Sequence, residues 1–553
     1  MCSIHSFTNA RSASWTPPLT LQSPLGRRES GSAGSLLLGR GSKGGWRCIG
    51  MNNPGDIVRA RWLLLIRFVL IFAALVLLQS PFLRADADAG LGRSRGPFTD
   101  EGLYTAQVRN AMITGRLDLA ESDGVIKEPL FALGAWLVLA TFGDSMVTMR
   151  VAIVLCYSAL LALMTAGSGG FSRMLAIAIP VGFLSYVPFH YGHLALAEIP
   201  SCIAIVAALF VVHLRLRGAG GWTVPVSSFL VFLAYTLKIQ FLYAAAIPPL
   251  GFAVALALRQ LSDPRADRRA WMDVVASFLV AAGFALLFAA VWVLPNQALF
   301  SFVLSAQGAE RTAGLAHIPR LVLDNAHDLL RQLGVWPVLL LLGLGAVIAW
   351  CEWRASARNP QARLSWIALM APPLAWLVVE THKLGLSYLP SRYVVSLLVA
   401  VTLVGAAAIA TRQRPLSARA ARPAHTAGVM VLALALLING ALYVQALGNR
   451  QHVIHEAQQA FAADGRWQGK VVIGPWAPAV FWGTGAITKP VWKNYFNDRD
   501  ILARLQPAAI VTEADQEDSQ QALSRDGITL PARADMILRV HRWELQVFEW
   551  PPR

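Results

Sequence analysis

Charge is what this chain has little of. Asp, Glu, Lys and Arg make up 14% of its 553 residues, while 55% are hydrophobic. A soluble domain carries about 25% charged residues, so membrane is the first hypothesis. Lysine is scarcer still, with seven against 41 arginines, which makes each lysine worth locating. The five cysteines (Cys2, Cys48, Cys156, Cys202, Cys351) form no CxxC pair and no framework. Three of them lie in apolar runs, where a thiol acts as a small hydrophobe. The chain also lacks a P-loop, GxSxG, HExxH and a GxGxxG after a strand, so no soluble-enzyme motif competes for a reading. No internal repeat is evident, which weakens a transporter built from inverted repeats. The formal net charge of +16 does not point to nucleic acid. The arginines sit mainly in short clusters between apolar runs, and basic–aromatic interleaving on a soluble face is absent.

Residues 1–50 stand apart. They are rich in Ser, Gly and Arg, with Glu29 as the one acid and no long apolar run. Such a composition cannot bury a core. An organellar transit peptide shares these features, but the segment reads more simply as a disordered or spurious extension ahead of a start at Met51. It is excluded from the fold expectation.

What the rest of the chain has is long apolar runs. A spanning helix needs about 20 mostly apolar residues. The first candidate is Trp62–Pro81, and Arg59 and Arg61 before it put the N-terminus in the cytoplasm. Ten more follow at 146–166, 174–190, 198–214, 222–237, 239–258, 271–294, 334–351, 364–380, 392–411 and 427–447. The loops 167–173, 215–221, 259–269, 353–363 and 412–422, which together carry 14 arginines, then all fall on the cytoplasmic side. The long loop 82–145 falls outside, and its piece Pro129–Phe142 is too short to span comfortably and reads as a surface helix. An odd count of eleven places residues 448–553 outside as well. That tail alternates polar and apolar stretches. Strands are expected at 470–474, 508–512 and 545–550 and helices at 499–505 and 516–525, a small α/β domain.

The chemistry-bearing stretches all fall at the external side of this topology. In Phe98-Thr-Asp-Glu-Gly-Leu-Tyr104, Thr99 can cap a helix ending near Gly115, with Asp100 and Glu101 in its first turn and Tyr104 one turn on. Adjacent helical positions point about 100° apart, so only one acid faces a given site. Lys127-Glu-Pro-Leu130 precedes the surface helix. Glu198 stands at the edge of an apolar run in Ala197-Glu-Ile-Pro200, where a carboxylate is costly. Lys238 interrupts the 222–258 stretch, and His382-Lys383 and Arg392-Tyr393 flank a later loop. One lysine at that face is explained by snorkelling. Three (Lys127, Lys238 and Lys383) point to an anionic ligand. His317, in the 295–333 loop, is a structural histidine or a lone metal ligand.

This order of motifs resembles the GT-C membrane glycosyltransferases, and most closely the group of protein O-mannosyltransferases and the aminoarabinose–lipid A transferase. The resemblance covers roughly residues 56–411. Two departures stand out: Glu128 occupies a position often held by proline, and Glu198 one often held by Asp. The resemblance fits the α-helical polytopic membrane protein of about eleven spans with a small C-terminal α/β domain read above, and implies a bacterial inner membrane with a periplasmic site. It implies transfer of a sugar from a polyprenyl-phosphate-linked donor to a lipid, glycan or protein acceptor, by one inverting displacement. Asp100 is then the general base, with Glu101 second. Lys127, Lys238, Lys383 and Arg392 would hold the donor phosphate, and Tyr104, Glu198 and Tyr393 the substrates. No metal ligand is assigned, although Glu198 leaves a divalent ion open as a cofactor. The alternative is a transporter or flippase of lipid-linked sugars, which would place charges along a path through the helices rather than at one face.

Overall fold

A run of apolar residues of spanning length can satisfy its backbone inside a bilayer only as a helix, and helices dominate this protein. The computed structural model describes residues 54–92, 94–261, 268–308, 315–356, 359–411, 418–514 and 517–551; the segment 1–50 lies outside them. Leu63–Arg553 is one compact unit; of the other, Met1–Trp62, the described part is the beginning of the helix Pro54–Gln79.

Among the described residues nine helices are long and apolar enough to cross a membrane, from Val58–Phe82 to Thr426–Asp464. The protein is an integral, multi-pass membrane protein. The count differs from the expected eleven at two places. The segment expected at 174–190 is broken: a wide π turn at Ile179–Phe183 leads to Tyr186–Gly192 at a bend of 93°. Pro180 lies in that turn, lacking an N–H and clashing with the preceding turn. The segment expected at 222–237 is the 15-residue helix Thr223–Leu237, which stops where Lys238 turns to extended backbone.

The Ser391–Ala410 helix is the centre of the bundle, buried along almost its whole length. It meets the helix Trp336–Ala355 through two glycines: a Cβ on Gly345 would lie 2.7 Å from the Gly405 Cα. Small residues let helix backbones approach this closely where no hydrophobic force drives association. Large apolar side chains such as Leu163, Leu286 and Leu437 stay exposed on the outside, a lipid-facing surface.

The loop 82–145 carries two well-formed helices, Gly96–Thr114 and the short apolar helix Pro129–Phe142. The first starts earlier than expected. Pro97 occupies its first turn, a position where a missing N–H costs nothing. Thr99 is therefore not a cap; its hydroxyl donates back to the Arg95 carbonyl at 3.2 Å. Gly115 ends the helix in the left-handed region, at φ 72°.

Residues after 448 build a five-stranded sheet: β1 Val471–Ile473, β2 Ile487–Lys489, β3 Ala509–Glu513, β4 Met536–Val540 and β5 Trp543–Glu549. The order is β2-β1-β3-β5-β4, parallel on the β1 side of β3 and antiparallel on the other. Side chains alternate across it. Ile473, Ile510 and Phe548 pack with Ile501 and Leu523 from the local helices, while Val472, Val511 and Val547 join the core of the helical region. Strands β2 and β4 and the helix Val453–Asp464 were not expected from the sequence.

One contact fixes this sheet region over the Gly96–Thr114 helix. A Cβ on Gly102 would lie 2.4 Å from the Ala479 backbone nitrogen, so only glycine admits the Ala477–Val480 turn. Arg109 donates to both the Gly102 carbonyl (3.0 Å) and the Pro478 carbonyl (2.7 Å), and its guanidinium lies 4.5 Å from the centre of the Trp482 ring. Burial pulls that guanidinium down to about 10. Asn110 completes the seam by exchanging two hydrogen bonds with the Thr488 backbone. The two segments therefore share one side of the membrane.

Candidate active site

The two neighbouring acids of the Gly96–Thr114 helix face different surroundings, as their 100° separation requires. Glu101 points into the protein. Arg150 grips it with two parallel bonds, Nε to Oε1 at 2.8 Å and Nη2 to Oε2 at 2.5 Å, and the Ala195 N–H donates to Oε1 at 2.5 Å. Arg150 also donates to the Ala85 carbonyl at 2.5 Å. This fork ties together the Gly96–Thr114 helix, the turn after the first span and the 193–197 segment. Glu101 is thus buried and held on both carboxylate oxygens, away from the cavity that Asp100 faces. Arg150 was missed in the sequence, although an arginine inside the apolar run Met146–Thr165 is itself a signal.

Asp100 faces a cavity of about 420 Å³. One wall is the start of its own helix, from Ser94 to Asp100. A second is Tyr191 with Tyr388 and Pro390–Arg392. The third is Trp492 and Trp543 from the sheet region. Across it, Arg392 Nη1 donates to Asp100 Oδ2 in an ion pair. Arg392 sits in the first turn of the central Ser391–Ala410 helix, so the most deeply buried span of the bundle presents it. The volume lies in the range of small-ligand sites.

The remaining predicted residues lie outside the cavity lining, and most of them fall in two buried clusters. In the first, Lys238 pairs with Glu128 at 2.5 Å and Glu198 at 3.0 Å, and its ammonium lies 4.5 Å from the centre of the Tyr104 ring. Two carboxylates for one cation leave no spare positive charge here. Burial, with Glu198 adding to it, outweighs the Lys238 charge and pushes the Glu128 carboxyl up to about 7. Burial also raises the Tyr104 hydroxyl. In the second, Lys383 pairs with Glu380 at 2.9 Å and donates to Ser396 at 2.5 Å. Glu380 accepts from Tyr243 (2.5 Å), Trp376 (2.9 Å) and Ser396 (3.0 Å) as well. Lys383 is therefore a joint between two helices. Lys127 pairs with Asp123 one turn back and is more exposed than either. Tyr393 lies under the Arg392 guanidinium, 5.5 Å from ring centre to carbon. Of the four cations assigned to a donor phosphate, Arg392 alone lines the cavity. Among the described residues no cluster of three or more His, Cys, Asp or Glu side chains is placed to hold a metal ion, and His317 is exposed.

No family model matches the sequence, and no curated protein matches it. Solved structures do. The apo form of ArnT from Cupriavidus metallidurans superposes with a TM-score of 0.53 at 15% identity, over 87% of this chain and 97% of that one. The same protein bound to undecaprenyl phosphate gives 0.51 at 14% identity over the same shares. The fold is the GT-C fold. The archaeal oligosaccharyltransferase AglB from Archaeoglobus fulgidus aligns more loosely, at a TM-score of 0.46 and 11% identity over 81% of this chain and 69% of that one. Within the GT-C fold of this chain, the cavity lies where the acidic helix of the first long loop, the end of the central helix and the C-terminal sheet region converge.

Proposed function

We propose that the protein is a membrane glycosyltransferase that moves a sugar from a polyprenyl-phosphate-linked donor to an acceptor hydroxyl on the non-cytoplasmic face, with inversion. The observation that carries this reading is the Asp100–Arg392 pair, set across a cavity of ligand size in a chain with the GT-C fold. ArnT, which shares that fold, is described in complex with undecaprenyl phosphate, which supports the same class of donor here.

The pair supplies both charges the reaction needs. The acceptor oxygen attacks the anomeric carbon, its proton passes to Asp100, and the bond from that carbon to the phosphate oxygen breaks. The leaving lipid phosphate keeps the electron pair and is already anionic, so a cation rather than an acid stabilises it. While Arg392 holds Asp100, one carboxylate oxygen is engaged by the guanidinium. A donor phosphate competes for Arg392. Its arrival draws the guanidinium away and frees that oxygen to take the acceptor's proton only when donor is in place. Lys238 and Lys383, each neutralised by buried carboxylates outside the cavity lining, brace the helices around the site rather than clamp the phosphate.

The test is Asp100→Asn. An amide has nearly the same shape and cannot take a proton. The variant should insert and fold normally yet lose at least about 100-fold in transfer rate, the usual weight of a general base. Transfer is measured with a labelled polyprenyl-phosphate sugar at matched expression. Near-normal turnover would refute the assignment.

A further inference from the structure

The third wall of the cavity is unlike the other two. It is made of two indoles from the C-terminal sheet region. Trp543 opens β5, and its position is set by the tight β4–β5 hairpin, where Val540 pairs with Trp543. Its ring packs against Trp476 at 6.2 Å, and the Arg542 guanidinium lies 4.9 Å from the ring centre. Trp492 follows β2, with the Arg95 guanidinium 5.6 Å from its ring centre. Both rings are held by neighbours, so both are presented as fixed surfaces.

Their polar ends are not satisfied. The Nε1–H groups of Trp492 and Trp543 are buried and have no hydrogen-bond partner among the described residues. The Nε of Arg392, across the cavity, is in the same condition, although its Nη1 holds Asp100. Buried donors without partners are rare and costly, and each asks for an explanation. Two of them on indoles that line one cavity, with a third on the facing arginine, are explained by a ligand that brings acceptor oxygens.

The chemistry narrows the ligand further. A sugar ring has faces of C–H groups, which carry slight positive charge, and a rim of hydroxyls. An indole face is negative and flat, and its N–H edge is a donor. The two surfaces are complementary at both the face and the edge. A peptide brings as many N–H donors as carbonyl acceptors, and the three unpaired groups on the residues around the cavity are all donors. A hydrocarbon tail would leave every one of them unsatisfied. We infer that the cavity seats a carbohydrate acceptor, held by Trp492 and Trp543, with one of its hydroxyls turned to Asp100. This names the acceptor class for the glycosyltransferase reading above and rests on it for the transfer step alone.

The experiment separates binding from transfer. Full-length protein in lipid nanodiscs, without donor, is applied to a glycan array and to an array of Ser- and Thr-containing peptides. The best glycan is then titrated calorimetrically into wild type, Trp492→Phe and Trp543→Phe. Phenylalanine keeps a flat face and removes the N–H, so each variant should bind roughly fivefold more weakly, with its thermal midpoint close to wild type. The Trp492→Ala/Trp543→Ala double variant should lose glycan binding altogether. No glycan bound above that double variant, or a glycan Kd unmoved by both Phe substitutions, overturns the inference. Binding of peptides in place of glycans overturns it too. Glycan binding through the two indoles with no cleavage of a polyprenyl-phosphate sugar would uphold the carbohydrate site and sink the transferase reading instead.

Discussion

Arg392 donates to Asp100 across 292 positions of sequence, from the first turn of the central helix to the second turn of the helix in the first long loop. The contact makes Arg392 the cation a donor phosphate meets at the cavity. Arg392→Gln should weaken binding of a polyprenyl phosphate by roughly tenfold to a hundredfold, the loss of one charge-assisted contact. Lys383→Ala should leave Glu380 buried without its cation, lowering the thermal midpoint in detergent rather than lipid affinity. Equal lipid binding by wild type and Arg392→Gln would remove the arginine from the donor site.

Glu101 and Arg150 form the most enclosed ion pair of the site, with side chains 2% and 1% exposed. Removing one partner strands the other in a dry interior, which costs about 3–5 kcal/mol. Glu101→Gln and Arg150→Met should each reduce the yield of folded protein, measured by size-exclusion fluorescence of membranes solubilised in parallel. The double variant Glu101→Gln/Arg150→Met should recover part of the loss, because no buried charge is then left alone. A Glu101→Gln protein that folds like wild type but loses transfer would instead move the base one residue along.

Gly102 tests how the sheet region reaches the cavity. A methyl group there overlaps the Ala479 nitrogen and pushes on the carbonyls that Arg109 holds. Overpacking of this kind costs about 1–3 kcal/mol. Gly102→Ala should therefore shorten the survival of the C-terminal region under limited trypsin while the membrane helices persist. It should also raise the acceptor KM more than it lowers donor binding, since Trp492 and Trp543 move and Arg392 does not. Unchanged proteolysis would show that the turn shifts freely.

Much of the architecture was legible because it is local. Runs such as Ser391–Ala410 announce themselves by composition, the short apolar helix Pro129–Phe142 has the bounds its apolar residues suggest, and Gly115 marks a helix end by its freedom at positive φ. Pro97 carried a start signal that the more familiar Thr99 obscured. The site was legible in part. Asp100, Glu101, Lys238 and Arg392 stand out as ionisable groups at apolar edges, but pairing is not local. Nothing near Glu101 says that Arg150 will saturate it. Nothing near Lys238 says that Glu128 and Glu198 will take its charge. Trp492 and Trp543 come from a segment whose strands β2 and β4 are short and weakly patterned, so their arrival at the cavity depends on Gly102 and the Arg109 clip, which only the folded chain shows.

Glu128 gives the protein a pH dependence of definite sign. Its carboxyl moves from 4.5 up to about 7 on folding, because burial and Glu198 together outweigh Lys238. Below 4.5 it is protonated in both the folded and unfolded chain. Between 4.5 and about 7 the folded chain keeps a proton that the unfolded chain releases, so each step up in pH costs the folded state. The contribution is fully present below 4.5 and lost as pH rises through about 7. Glu128→Gln holds an uncharged amide beside Lys238 and cannot titrate. The thermal midpoint of wild type relative to Glu128→Gln should therefore fall as pH rises from 4.5 to about 7, and level off above it. The measurement is a pair of melting curves in one detergent across that range. Parallel curves would show that Lys238 keeps Glu128 ionised throughout, and the buried cluster would then carry its net negative charge at every pH tested.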